Sequence, residues 1–166
     1  MAMLSVLVAF AAATAARPAE PCRPDSSAVR EVRAVATGIV AADNARDLER
    51  VLGYYAADAV LMPPNGAVVL GRDAIRPRYE ALFADYVPEI FVRIDEACVG
   101  DGLAFVRGHN GGRLLDRAAK GSRELDDDFL MLLRLDPAGA WRISHLIWHR
   151  ASAPPAEPRS EPFGQP

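Results

Sequence analysis

The chain has 166 residues, of which 51% are hydrophobic and 25% are charged, and its formal net charge is −3. This length predicts one domain that can bury a sizeable core. The small negative charge leaves no basic surface of the size that nucleic acids require, so nucleic-acid binding is excluded from the expected functions.

The N-terminal segment, residues 1–16, is apolar and contains Ala-Thr-Ala at 13–15, a sequence of the type that signal peptidases cleave. We expect residues 1–16 to be a signal peptide and residues 17–25 to be a linker, although no Lys or Arg precedes the apolar run. The run is too short to span a bilayer comfortably. The mature protein is therefore expected to be periplasmic or secreted without membrane attachment, and cytoplasmic if this segment is no export signal.

The sequence has two cysteines, Cys22 and Cys98. In an exported protein they can form a disulfide that ties the new N-terminus to a central strand. The alternative is that Cys98 is an unmodified buried strand residue. The spacing of the two cysteines fits no metal motif.

Two helices are predicted before the first strand. Asp25 or Ser26 can cap the first helix, which ends near Asp43, and Asp47 can cap the second. The second helix has an apolar stripe at positions i, i+3, i+4 and i+7, formed by Leu48, Val51, Leu52 and Tyr55.

A strand, a turn, a second strand and a third helix are predicted to follow. Residues 59–62 form an apolar run that Pro63 and Pro64 end. The dipeptide at 65–66, Asn-Gly, is a strong turn signal, and residues 67–70 are the second strand. Gly71 then begins the third helix. Its apolar positions at helical spacing are Ile75, Tyr79, Leu82, Phe83 and Tyr86.

Beyond this helix the apolar period changes from 3.6 to 2, which predicts four long strands. Their predicted bounds are 89–99, 103–109, 123–135 and 141–150, with a polar connection over 111–122. Helices followed by antiparallel strands are typical of an α+β fold.

One stretch of the sequence carries a pattern that is specific for a fold. The pattern consists of Asp47, Tyr55-Ala-Ala-Asp58-Ala59-Val60, Pro63-Pro64 and Gly71-Arg72-Asp73-Ala74-Ile75. It resembles the nuclear-transport-factor-2-like superfamily, and within it the SnoaL-like domains, over residues 27–150. The resemblance implies an α+β, cone-like domain over 26–151, with three N-terminal helices packed in the concave face of a strongly curved antiparallel sheet. The superfamily includes isomerases, cyclases, epoxide hydrolases, dehydratases and proteins without known chemistry, so the fold leaves the function open.

The last predicted strands indicate an interface with a partner, and the C-terminal segment has the composition of a tail. Residues 129–135 and 143–148 are apolar on both faces, whereas helices can cover only one face of a sheet. We therefore expect a homodimer through the sheet, which the resemblance also implies. Residues 152–166 are rich in Pro, Glu and Ser and are expected to form a disordered tail.

Three residues are candidates for acid–base chemistry in a pocket between the helices and the sheet. His109 and His145 lie on predicted strands, and Asp127 lies in an acidic run at the start of another strand. A pair of His109 or His145 with Asp127 would be suited to moving a proton near neutral pH. The alternative is that the acidic run is a solvated strand end and that the histidines are core-edge or interface residues.

The predicted pocket is otherwise apolar. Its predicted lining residues are Tyr54, Tyr55, Met62, Phe83, Phe129 and Trp148. Either Tyr54 or Tyr55 could also offer a phenol to an oxyanion, although packing alone explains them. On a strand, His145 and His149 would lie roughly 13 Å apart, so no metal is expected. The sequence has no glycine loop of the kind that binds phosphate groups, and no cofactor is expected.

One position departs from the resembled superfamily. Its ketosteroid isomerases carry a base carboxylate at the end of the first strand, and the matching residue here is Pro63, which cannot accept a proton. Three hypotheses follow: a binder of a small apolar ligand without catalysis, a cofactor-free isomerase, cyclase or hydrolase using the His–Asp pair, or a protein-assembly module. Whether the protein is an enzyme stays open at this point.

Overall fold

The computed structural model describes residues 26–118 and 121–151. The predicted signal peptide, linker and tail lie outside these residues. The helices span Ser27–Ala45 (α1), Leu48–Gly53 (α2) and Arg72–Asp85 (α3). The strands span Tyr55–Met62 (β1), Val69–Leu70 (β2), Tyr86–Gly100 (β3), Leu103–Asp116 (β4), Ser122–Leu135 (β5) and Trp141–Arg150 (β6). None of the described helices is both long and apolar enough to cross a membrane.

The strands form one sheet in the order β2-β1-β6-β5-β4-β3. The predicted α+β class is confirmed, with α1 packed on β3, β4 and β6 and with α3 packed on β1, β2 and β3. The sheet is mostly antiparallel, as predicted, but β1 and β6 pair in parallel, which the prediction did not include. These two strands are far apart in sequence, so no hairpin fixes their relative direction.

The helix starts are those that the sequence predicts. The Ser26 side chain accepts a hydrogen bond from the Val29 N–H at 3.2 Å, and Asp47 accepts one from the Arg50 N–H at 3.1 Å. Tyr55 was wrongly placed on the second helix, because α2 ends at Gly53 and Tyr55 begins β1. Its pairing with β6 overrides the local helical period.

The connection predicted over 111–122 was also wrong. β4 continues to Asp116 and β5 already begins at Ser122. Gly111 looks like a chain breaker in the sequence, but in β4 it makes room for the ring of Phe91, which a Cβ at Gly111 would overlap.

A β-bulge in β6 decides which side chains face the core. Ser144 stands between two ladder pairs and has no partner of its own on β5, so the alternation of faces shifts there. Trp141 and Ile143, before the bulge, are buried, whereas Ile147, after it, is 42% exposed. Simple alternation from Trp141 and Ile143 would place His145 on their face of the sheet, but after the bulge His145 lies with Ile147 on the outer face.

The core lies between the helices and the inner face of the sheet. Its largest fully buried side chains are Tyr55, Leu61, Ile75, Leu133, Ile143, Val29, Val32, Val51 and Val106.

Cys98 lies on β3 and is disulfide-bonded, which excludes the alternative of an unmodified thiol. The predicted partner, Cys22, lies outside the described residues.

The edge strand β3 is tied to the end of α1 by one side chain. The Asn44 amide donates to the Ile90 carbonyl and accepts from the Ile90 N–H, each at 2.8 Å. Asn44 thus takes the place of a neighbouring strand and covers part of the free edge.

We expect Asn44→Ala to lower the free energy of unfolding by about 1–2 kcal/mol, because both Ile90 backbone groups lose their partner at a site that water can reach. Urea denaturation measures this loss. The control is Asn65→Ala, the same change in an exposed turn, and equal effects of the two substitutions would show that Asn44 does not hold the edge.

Candidate functional site

A cavity of about 380 Å³ lies between α1, α3 and the inner face of the sheet. Its apolar lining includes Ile39, Val40, Leu61, Leu82, Phe129, Met131, Leu146 and Trp148. The mouth lies between α3 and β5, where the lining residues Arg78, Asp85 and Arg123 are exposed. The site is therefore an apolar space with charged side chains at its rim.

The sheet supplies two neighbouring polar side chains to the cavity wall. Asn110 on β4 is paired with Asp127 on β5, so the two side chains are neighbours on the inner face. Because side chains alternate along a strand, Asp126 and Asp128 point to the opposite face. Of the three consecutive aspartates, only Asp127 lines the cavity.

Helix α1 supplies a carboxyl group. Asp43 lies in the last turn of α1, and its Oδ1 is buried and has no hydrogen-bond partner among the described residues. Burial raises the pKa of Asp43 from 3.8 to about 8, because the surrounding apolar atoms disfavour the charged form. The group is therefore mostly a neutral carboxylic acid at neutral pH, and it can donate a proton.

Asn110 repeats this feature on the sheet side of the same cavity. Its Oδ1 is also buried without a hydrogen-bond partner in the described part of the chain. Buried polar atoms in proteins are nearly always paired. Two such atoms lining one open cavity indicate that a ligand or water completes their hydrogen bonds.

A pair of tyrosines lies beside Asp43. The hydroxyls of Tyr55 and Tyr79 are hydrogen-bonded at 2.9 Å, and Tyr79 lines the cavity. Burial raises the pKa of each phenol above its ordinary value, and the charge of Asp43, when ionised, raises both further. Both phenols thus remain protonated, and Tyr79, which lines the cavity, can position a polar group of a ligand.

Asp127 has a different electrostatic environment. Partial burial raises its pKa, whereas the positive charges of Arg150 and Arg123 oppose this rise. The two arginines favour the carboxylate form of Asp127, so its electrostatic environment differs from that of Asp43.

The structure brings only part of the predicted site together. Asp127, Phe129 and Trp148 line the cavity. The other predicted pocket residues are absent from its lining, namely Tyr54, Tyr55, Met62 and Phe83. Tyr55 contributes indirectly, through its hydrogen bond to Tyr79.

The predicted pairing of a histidine with Asp127 is not found. His109 lies on the outer face, with Nδ1 3.1 Å from Asp128 Oδ1 and Nε2 3.2 Å from Asp126 Oδ1. His145 lies past the bulge, and its Nδ1 is 3.2 Å from the Ser144 Oγ. Neither histidine lines the cavity.

The sequence contains a signal for Asp43, although this residue was not among the predicted site residues. Val32, Ala36, Ile39 and Asp43 are spaced i, i+4, i+7 and i+11, so Asp43 continues the buried stripe of α1. A carboxylate on an apolar stripe is a candidate for a functional group. Asn110 is also a polar residue at a position that faces the core, because it lies two residues after Gly108 on the inner face of β4.

No group of three or more His, Cys, Asp or Glu side chains within residues 26–118 and 121–151 is arranged to hold a metal ion.

Comparison with known proteins identifies the family. Residues 36–142, more than half of the chain, match the SnoaL-like domain family, and the chain belongs to this family. No curated protein matches the sequence.

Solved structures show the same fold. A ketosteroid isomerase-like protein from Erwinia carotovora atroseptica is 24% identical, with a TM-score of 0.70 over 76% of this chain and 98% of that one. An NTF2-like protein with a cystatin-like fold from Novosphingobium aromaticivorans is 20% identical, with a TM-score of 0.57 over 72% and 79% of the two chains. The predicted resemblance to the NTF2-like superfamily is thus confirmed.

Proposed function

We propose that the cavity binds a small, largely apolar molecule and that Asp43 exchanges a proton with it, without a cofactor. One observation carries this proposal: a buried carboxyl group with a pKa of about 8 faces an open apolar cavity and has an oxygen without a partner. A carboxyl group whose pKa lies near neutrality is suited to general acid catalysis.

The second carboxyl group of the cavity, Asp127, acts as the base. Asp127 accepts a proton from a carbon atom of the ligand while Asp43 donates one elsewhere, and Asn110 holds a polar group of the ligand. Burial raises the pKa of both groups, but at Asp127 two arginines oppose the rise, and two carboxyl groups in such different environments are suited to act as an acid–base pair. The reactions that need one proton removed and one added are double-bond isomerisation and the loss of water from a hydroxy compound.

Binding without catalysis is the second candidate function. Pro63 supports it, because this residue occupies the position of the base carboxylate in ketosteroid isomerases. The isomerase-like description of the Erwinia carotovora protein supports the enzyme instead, by analogy of fold alone. An open cavity favours either function over the third hypothesis, an assembly module with a filled pocket.

The proposal also includes the curvature of the sheet, the oligomeric state and the localisation of the protein. Register shifts in the β1–β6, β3–β4 and β5–β6 ladders support a sheet that curves into a cone. The outer face of this sheet exposes several large apolar side chains, including Phe91, Leu130, Leu132 and Ile147. They support a homodimer through the sheet, and the disulfide at Cys98 supports an exported protein.

The proposal is tested with two probe ketones. Incubation with 4-hydroxy-4-phenylbutan-2-one reports loss of water, and a β,γ-unsaturated cyclohexenone reports isomerisation, both by ultraviolet absorbance. For the probe that reacts, we expect Asp43→Asn and Asp127→Asn each to lower kcat about 10²- to 10⁴-fold, because an amide cannot transfer the proton.

Asp126→Asn is the matched control, since this aspartate belongs to the same acidic run but points to the outer face. It should leave kcat within about twofold of the parent protein. If the parent protein binds both ketones and converts neither, the function is binding. Equal rates for the parent protein and Asp43→Asn would contradict the acid role.

A further inference from the structure

The mouth of the cavity carries an arginine that the proposed chemistry does not use. The guanidinium carbon of Arg78, on α3, lies 5.5 Å from the ring centroid of Trp148, on β6, and both residues line the cavity. A cation–π contact uses none of the N–H groups of the guanidinium in a hydrogen bond and leaves them available. Trp148 therefore holds a cation at a defined place on the rim.

The charge of Arg78 is not balanced within the described residues. No carboxylate of that part of the chain lies within 4.0 Å of it. Asp85, the other charged rim residue of α3, is seven residues further on, which is roughly 10 Å along the helix. By contrast, Arg76, on the same helix, is paired with Glu49 at 2.5 Å.

The second arginine of the rim differs from Arg78 in this respect. Arg123 lies near Asp127, and its charge acts to lower the pKa of that carboxyl group. A negative group of a ligand at Arg123 would therefore compete with the charge of Asp127, whereas no described carboxylate lies within 4.0 Å of Arg78. Asp43 adds little negative charge to the interior, because it is mostly neutral at neutral pH.

We propose that the natural ligand is an amphipathic acid, whose apolar body fills the cavity and whose carboxylate binds Arg78 at the mouth. This inference depends on the proposed binding of a small apolar molecule, and it adds the charge and orientation of that molecule. The fork of N–H groups on a guanidinium matches a carboxylate in two parallel hydrogen bonds. The end of the ligand remote from the acid group then lies near Asp43 and Asn110.

Two probes of nearly equal shape test whether the site prefers a negatively charged ligand. Naphthalene-2-carboxylate and naphthalene-2-carboxamide are titrated into the full chain at pH 7 by isothermal calorimetry. We expect the carboxylate to bind about tenfold more tightly than the carboxamide, with the difference shrinking in high salt because the rim is exposed. In Arg78→Gln this difference should vanish while the affinity for the carboxamide stays the same.

Arg123→Gln is the control, because it removes the same charge from the same rim. It should change the carboxylate-to-carboxamide ratio less than twofold. Equal affinity of the parent protein for both probes would overturn the inference about charge and leave the binding of an apolar molecule standing. Binding of neither probe would contradict both proposals. If Arg78→Gln and Arg123→Gln lowered the carboxylate-to-carboxamide ratio equally, the assignment of the acid group to Arg78 would be overturned.

Discussion

Asp43→Asn is expected to be more stable than the parent protein at neutral and alkaline pH. In the unfolded chain Asp43 has an ordinary pKa near 3.8, whereas in the folded protein its pKa is about 8. Between these values the folded state holds a proton that the unfolded state has released, so the stability of the parent protein falls as the pH rises. Asparagine fills nearly the same space and does not titrate.

The size of this effect follows from proton linkage. The stability gained by Asp43→Asn should grow by up to about 1.4 kcal/mol per pH unit between pH 4 and pH 8, and reach several kcal/mol above pH 8. Urea denaturation at a series of pH values measures it, with Asp101→Asn in an exposed hairpin turn as the control. A gain that is independent of pH would mean that Asp43 titrates alike in the folded and unfolded states.

Gly112→Ala is expected to be among the most destabilising single substitutions in the described chain. Gly112 lies within β4 with a φ of 125°, a conformation that residues with a side chain rarely adopt. A Cβ there would also overlap the Glu89 carbonyl oxygen of the neighbouring strand. Backbone strain and overlap each cost about 1–3 kcal/mol, so the loss should be about 3 kcal/mol or more.

Gly121→Ala provides the control for Gly112→Ala. A Cβ at Gly121 would meet no atom of the described residues within 4 Å, and its backbone does not have a positive φ. Thermal unfolding should therefore give a melting temperature close to that of the parent protein for Gly121→Ala and a strongly lowered one for Gly112→Ala. If Gly112→Ala unfolded within a few degrees of Gly121→Ala, the strand would tolerate a side chain at this position.

The secondary structure that depends on local signals could be predicted from the sequence. Ser26 and Asp47 cap helices because their side chains bond to backbone groups three residues away, and this interaction needs no knowledge of the rest of the fold. The parallel pairing of β1 with β6 depends on contacts between distant segments. No residue pattern within either strand encodes the direction of its partner, so this feature was missed.

The candidate site was harder to predict for the same kind of reason. Asp127 and Trp148 could be named as pocket candidates because the resembled fold has its pocket between the helices and the sheet. His145 was misplaced because one bulged residue, Ser144, reverses the alternation for the remainder of β6. Asp43 was overlooked because a polar residue near a helix end is usually solvated, and only its position on the apolar stripe distinguishes it.

The most direct test of the account is the pKa of the Asp43 carboxyl group. Titration of the ¹³Cγ resonance of Asp43 by NMR measures it, with the signal assigned by its loss in Asp43→Asn. The account predicts a midpoint near pH 8, and a shift of this midpoint when naphthalene-2-carboxylate occupies the cavity. A midpoint near pH 4 would contradict it, because Asp43 would then be an ordinary ionised carboxylate unable to donate a proton at neutral pH.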